Sequence, residues 1–240
     1  MPIDSYQFIK LKVYPYNIYT AHTMSNNLIY TDGACSKNGS TKATGGYGIY
    51  LKHSCFGEEL KINCKGEPMQ MQLNGSTETF YVTNIRMEGL AIIATMFLYA
   101  ERFVFNQDIT DPVAFMNEKF LKQEKPLKLS YGTNELNVHG SDQCQTFEIV
   151  TDSLFWMNVI QSWMPTWVRK GILMQKKNPD LLLLLHYYAT LFEQNKVKVV
   201  LTHVRSHQRG KRTAHADGND VADVLATSSA SNSTTEFMLN

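Results

Sequence analysis

Four carboxylates stand where elements of secondary structure should begin or end. Asp32 closes the hydrophobic run at the head of LIYTDGACSKNG, Leu28 to Gly39. Asp152 closes a second short run, FEIVTDS, Phe147 to Ser153. Glu88 opens a long apolar segment, MEGLAIIATMFLYAERFVF, and Asp223 lies in the first turn or so of a last helix, VADVLATSSA. Taken singly, an Asp at a strand tip more often starts a turn, and an acidic residue at a helix start caps it or faces water. Taken together, four such positions ask for a shared reason. Two strands of one sheet that end in carboxylates at the same edge bring like charges together, and at least one pKa must then rise. A divalent cation offsets that cost. Mg²⁺ takes hard oxygen ligands and keeps waters. Two such ions about 4 Å apart activate a water and stabilise the leaving oxygen of a phosphodiester.

The elements that must position these groups are legible in part. Leu28–Thr31 reads as a strand, and GGYGIYLKHSCF from Gly45 as a second after a Gly-rich turn. A third strand is expected between Glu67 and Val82, with Asn74-Gly75 as a turn signal. Three strands so closely connected suggest an antiparallel meander. Leu90, Ile93, Ala94, Phe97 and Leu98 then fall at helical spacing, with Glu88 in the first turn. Gly89 weakens that helix by up to ~1 kcal/mol relative to Ala, which suggests a close neighbour. Residues from about 106 to 146 are polar, carry Pro112 and Pro126, and read as an insertion with a short helix near Pro112–Leu121. A helix from Ser153 through Trp163 follows the Asp152 strand. Asn178-Pro179 opens another helix, with Asn178 as N-cap and Pro179 at its first position. KVKVVLTHV reads as a strand and HQRGKRTAHADGND as a loop.

The chain has 240 residues and 43% hydrophobic content, enough for one good-sized core. Its formal charge is only +1, but Thr166 to Arg212 holds ten Lys and Arg against Asp180 and Glu193, a local balance of +8. Such a stretch is either a solvated face or a surface for phosphates. Four cysteines without CxxC pairing fit a reduced, intracellular protein. No apolar run reaches membrane-spanning length, and the N-terminus lacks the layout of a signal peptide. His203 and His207 have no Cys partners nearby, so no zinc site is expected there.

Four motifs, YTDGAC…NG, TNIRMEGLAII, VTDS and HADGNDVADVLA, occur in the order and surroundings of ribonuclease H type 1. The chain resembles that family over roughly 27–230, the insertion excepted, with 1–26 as an N-terminal arm and 231–240 as a frayed tail. The resemblance implies an α/β ribonuclease H-like fold, a mixed five-stranded sheet flanked by helices. It implies endonucleolytic hydrolysis of the RNA strand of RNA–DNA hybrids with two Mg²⁺ ions, Mn²⁺ being an alternative. Asp32, Glu88, Asp152 and Asp223 match the metal-binding carboxylates, and Asp32 would end the central strand because it bridges the ions. His207, in VRSHQ, matches a mobile-loop histidine that moves protons, work its pKa suits.

The same resemblance places Gly33, Ala34, Cys35, Ser36 and Asn38 on a loop that meets both strands in the shallow minor groove, where the 2′-hydroxyl tells RNA from DNA. Asn84 matches a groove contact. Thr83 and Asn178 match a pocket for a DNA phosphate, and Asn178 serves equally well as a helix cap. Phe155 and Trp167 match aromatics along the DNA strand, with Arg169 and Lys170 as a basic protrusion. Trp163 shares a helical face with Trp167 and is expected in the core.

Ile85 departs from the pattern, standing where a polar residue is usual. So does Ser206, which replaces a Gly, and so does a long basic loop from His207 to Asp223. Two other readings stand beside hybrid cleavage: a nuclease of the same superfamily acting on another substrate, and a non-catalytic hybrid-binding module. The expected partner is the hybrid alone, with no membrane; a monomer is expected, and no protein partner is indicated.

Overall fold

The computed structural model describes residues 27–73, 75–120, 145–206 and 213–231. The N-terminal arm, the middle of the insertion, His207 and the tail therefore lie outside the described residues.

Alternation of apolar and polar residues builds the sheet. β1 (Leu28–Ser36) is its central strand, with Ile29, Tyr30 and Thr31 fully buried. β2 (Thr44–Ser54) and β3 (Gly57–Gly66) follow as antiparallel neighbours, Asp32 pairing with Gly48 and Gly48 with Asn63. On the other side β6 (Thr146–Thr151) and β7 (Lys198–His203) run parallel to β1. The five-stranded order is β3-β2-β1-β6-β7, the mixed sheet expected from the sequence. The expected meander has a different third member. β3 lies before Glu67, and the segment assigned to it forms a separate hairpin, β4 (Met69–Leu73) and β5 (Ser76–Phe80). GEELKINCKG hides as a strand because it is the sheet edge: its charged face meets water, while Ile62 and Cys64 turn inward.

β1 also runs further than Thr31. Its pairing with β6 stops at Thr31 opposite Thr151, but its pairing with β2 continues to Ser36. Asp32 thus stands where the sheet opens on one side only.

α1 (Asn84–Phe103) is capped by Thr83, whose side chain accepts from the Arg86 N–H. It is buried nearly all round, from Met87 to Ala100. Such a helix has core on both sides, and here it packs on β1 and on α5 (Pro179–Gln194). Glu88 sits in its second turn, not its first, and the first turn holds no acidic residue. Gly89 has the close neighbour its presence suggested: a Cβ there would meet the Trp156 indole at 2.5 Å. The expected short helix is α2 (Pro112–Phe115), extended by a wider turn, Met116–Phe120.

α3 (Leu154–Asn158) leads through a wide turn, Val159–Trp163, into α4 (Met164–Arg169). The widening fits Pro165, which has no N–H to return to the preceding turn. The last helix, α6 (Ala214–Ala230), starts a full turn and more before Val221. Thr213 caps it, accepting from the Ala216 N–H at 3.2 Å. HADGND is therefore helix and not loop, which places Asp223 in mid-helix and shortens the expected long loop. Gly218, the apparent breaker, lies flat on the Tyr30 ring, 2.3 Å from where its Cβ would be. Cys35, Cys55 and Cys64 are free thiols, and no helix among the described residues is long and apolar enough to cross a membrane.

Candidate active site

Parallel register brings the first two carboxylates together. Thr31 pairs with Thr151, so Asp32 and Asp152 follow side by side at one end of adjacent strands. Glycines bring the other two. A Cβ on Gly33 would lie 2.1 Å from the Glu88 backbone nitrogen, so the second turn of α1 rests directly on the β1 backbone. A Cβ on Gly48, opposite Asp32, would lie 2.3 Å from the Ala222 carbonyl. α6 consequently lies flat across the sheet and carries Asp223 to the same end.

The electrostatics record the convergence. Burial pushes the Asp32 carboxyl up to about 8, and the charges of Asp152, Asp223 and Glu88 push it the same way. The Gly33 N–H, donating to Asp32 Oδ1 at 2.7 Å, opposes this only in part. Asp32 is 8% exposed, so water does little to relieve it. Burial is also the main force raising Glu88; hydrogen bonds from Ser153 and Asn84 oppose it, and the Asp152 charge adds to it. Those bonds are 2.5 Å from Ser153 Oγ to Oε2 and 2.7 Å from Asn84 Nδ2 to Oε1. Asp152 is raised chiefly by burial and further by Asp223, against its own backbone, His203 and Asn219. Asp223 accepts from the Thr227 hydroxyl at 3.3 Å.

Hard anionic oxygens repelling one another in a half-buried site suit a divalent cation. Among the described residues, no three Asp, Glu, His or Cys side chains already form a ready-made ion-binding group. The donor chemistry fits such ions.

The groove residues expected around the site are adjacent to it. Cys35 lies near the Val82 carbonyl, with Sγ at 3.9 Å. Asn38 accepts from the Asn84 N–H at 3.4 Å, tying the loop after β1 to the start of α1. Ser36 and Asn38 are exposed. Ile85 is 43% exposed beside them, and its carbonyl accepts from the Trp156 indole at 2.6 Å.

The aromatic expectation needs one correction. Trp163 is not in the core; it is 40% exposed and packs edge-on against Phe155 and obliquely on Trp167, centroids 5.9 Å apart in both cases. Trp156, unmarked in the sequence, is the fully buried indole. Leu154, Phe155, Trp163 and Met174 make an exposed apolar run, with Lys176 Nζ 5.3 Å from the Trp167 ring. Arg169 and Lys170 end α4 in the open.

Asn178 also departs from expectation. It precedes α5 but makes no side-chain cap; it adopts a left-handed backbone, φ 59°. Its Oδ1 accepts from Arg86 Nη1 at 3.1 Å. Arg86 itself escaped notice in the sequence. So did Asn219, 3% exposed and facing Asp152 from one turn before Asp223. Buried polar residues within helices carry no periodicity signal that would single them out.

Residues 133–231 match the RNase H family. The Pro-Pol polyprotein of Simian foamy virus type 1 is 35% identical over 81 residues, covering 33% of this chain and 7% of the polyprotein. The crystal structure of the Prototype Foamy Virus protease–reverse transcriptase superposes with a TM-score of 0.52 at 17% identity, covering 95% of this chain and 23% of that one. The chain thus spans a small part of the length of these relatives, and the structural likeness is one of fold.

Proposed function

We propose that the chain is a ribonuclease H family member and that it is an endonuclease that hydrolyses the RNA strand of RNA–DNA hybrids. What supports this reading most is Asp32, buried at the open point of the sheet and pushed up to about 8 by burial and three neighbouring carboxylates. Such company costs the metal-free protein stability, and a bound divalent cation would offset that cost.

In this reading Asp32, Glu88, Asp152 and Asp223 hold two Mg²⁺ ions. Bound there, the ions would lower the pKa of an attacking water and stabilise charge on the leaving oxygen. The chain's own residues do the rest. Ser153 and Asn84 orient Glu88, and the Gly33 N–H orients Asp32. The end of β1 at Gly33, Cys35 and Ser36 and the turn at Asn38 that follows it, with Asn84, lie in the minor groove and read 2′-hydroxyls. Thr83 and Asn178 take a phosphate of the DNA strand. Phe155, Trp163 and Trp167 stack along that strand, and Arg169 and Lys170 meet its phosphates. His207 is the proton carrier.

The test is a panel of labelled substrates with Mg²⁺: hybrid, single-stranded RNA, duplex RNA and duplex DNA. Cutting of the RNA strand in the hybrid alone is expected. Cutting of duplex DNA instead would favour another nuclease of the same fold.

A further inference from the structure

Arg86 is a buried cation for which the proposed chemistry has no use. Its guanidinium forms a two-pronged pair with Asp180, Nη1 to Oδ1 at 3.0 Å and Nη2 to Oδ2, with side chains 4% and 7% exposed. The Phe80 ring of β5 lies 5.1 Å beneath it. A tie between α1 and α5 needs no more than this. Yet the same Nη1 also donates to Asn178 Oδ1 at 3.1 Å, and the Arg86 backbone N–H donates to Thr83 Oγ1 at 3.3 Å. The guanidinium therefore engages the acceptor oxygen of Asn178, and the backbone N–H of the same residue makes the capping bond to Thr83.

Hydrogen-bond inventory gives the consequence. An amide with its oxygen occupied has its Nδ2 hydrogens to offer, and a hydroxyl accepting at its oxygen still has one proton to donate. Such donors suit an anion. The left-handed backbone at Asn178 fits the same account. That conformation is uncommon outside glycine, though Asn tolerates it better than most residues, and here it comes with no capping bond.

We propose that Arg86 is a positioning residue. Its guanidinium orients Asn178 so that the amide turns its Nδ2 donors, beside the hydroxyl of the capping Thr83, toward one backbone phosphate of the nucleic acid. This rests on the reading of Asn178 and Thr83 as phosphate contacts.

The experiment measures binding of a fluorescent RNA–DNA hybrid to the full chain in EDTA, which prevents cleavage, with thermal melts alongside. Asn178→Ala should weaken binding about tenfold, the worth of one charge-assisted bond. The pair Arg86→Met with Asp180→Leu replaces the buried ions by apolar side chains, an exchange that folds often tolerate. It should weaken binding as much as Asn178→Ala, and adding Asn178→Ala to it should cost nothing further. Arg86→Lys keeps a cation opposite Asp180 but loses the fork; it should stay folded and bind a few-fold more weakly, which covers the case of a double variant that does not fold. Wild-type binding by the folded Arg86 variants, with Asn178→Ala weakened, would reduce Arg86 to a structural tie and overturn the inference. Wild-type binding by Asn178→Ala would instead overturn the phosphate reading beneath it.

Discussion

Ser153 Oγ lies 2.5 Å from Glu88 Oε2 while it also faces the Trp156 N–H at 3.4 Å. The serine that follows one proposed metal ligand therefore holds another and begins α3 at the same time. Its oxygen accepts from the helix, so its single proton goes to the carboxylate.

Outer partners of metal ligands typically matter ten- to a hundredfold in affinity or activity. Ser153→Ala should raise the Mg²⁺ concentration for half-maximal activity about tenfold or more, whereas Ser153→Thr, which keeps both hydroxyl and cap, should stay close to wild type. Mg²⁺ titrations of hybrid cleavage and of thermal stabilisation check this. Equal Mg²⁺ dependence for Ala and wild type would leave Ser153 as a cap alone.

The raised Asp32 carboxyl has a consequence for stability. In the unfolded chain it ionises near pH 4; in the folded, metal-free protein it holds its proton up to about pH 8. The folded state binds the extra proton between these values, so stability should fall as pH rises through that window and level off above it. Asp32→Asn removes the group. In EDTA its melting temperature should depend less steeply on pH and exceed that of wild type at pH 8, by about 2–4 °C per kcal/mol of repulsion relieved. Glu88 and Asp152, also raised, leave some slope behind. Parallel melting curves for the two proteins from pH 4.5 to 9 would contradict the account.

The buried pair of Arg86 and Asp180 makes an opposite prediction. Asp180→Ala leaves an uncompensated cation over the Phe80 ring and should cost about 3–5 kcal/mol, read as a lower denaturation midpoint. A loss under 1 kcal/mol would show that water reaches the guanidinium.

Much of this is legible in the sequence alone. The strand through Asp32, the strand before Asp152 and the long helix carrying Glu88 announce themselves by runs and periods set by burial, though β1 runs on to Ser36. What stays hidden depends on neighbours distant in sequence. β3 looks polar because only one face of an edge strand is buried. The start of α6 looks like a loop because Gly218 and its acidic neighbours favour turns locally, and only the Tyr30 ring beneath the glycine explains its place in a helix. Trp163 reads as core by type, but the turn around Pro165 brings it out beside Phe155. The four carboxylates could be named; that Arg86 would reach Asn178, ninety-two residues away, could not.

The aromatic row and basic end should divide their labour. Arg169→Ala with Lys170→Ala should lower the salt dependence of hybrid binding by roughly two counterions, near 0.9 in slope for each phosphate that is no longer neutralised. Trp163→Ala should weaken binding by about 1–3 kcal/mol with little change in that slope, since stacking carries no charge. Binding measured from 50 to 300 mM salt separates the two. An unchanged slope in the double variant would move the phosphate surface elsewhere in the basic stretch.

In the proposed reaction four carboxylates act together on one scissile phosphate. Its most direct test is cleavage of an RNA-labelled hybrid in Mg²⁺ by Asp32→Asn, Glu88→Gln, Asp152→Asn and Asp223→Asn, each compared with wild type for cutting and for hybrid binding. RNA-strand cutting is expected from wild type, lost or reduced by orders of magnitude in every variant, with the fold and hybrid binding kept. Full cutting by Asp32→Asn would contradict it, because the most buried and most strained of the four carboxylates would then have no part in the reaction.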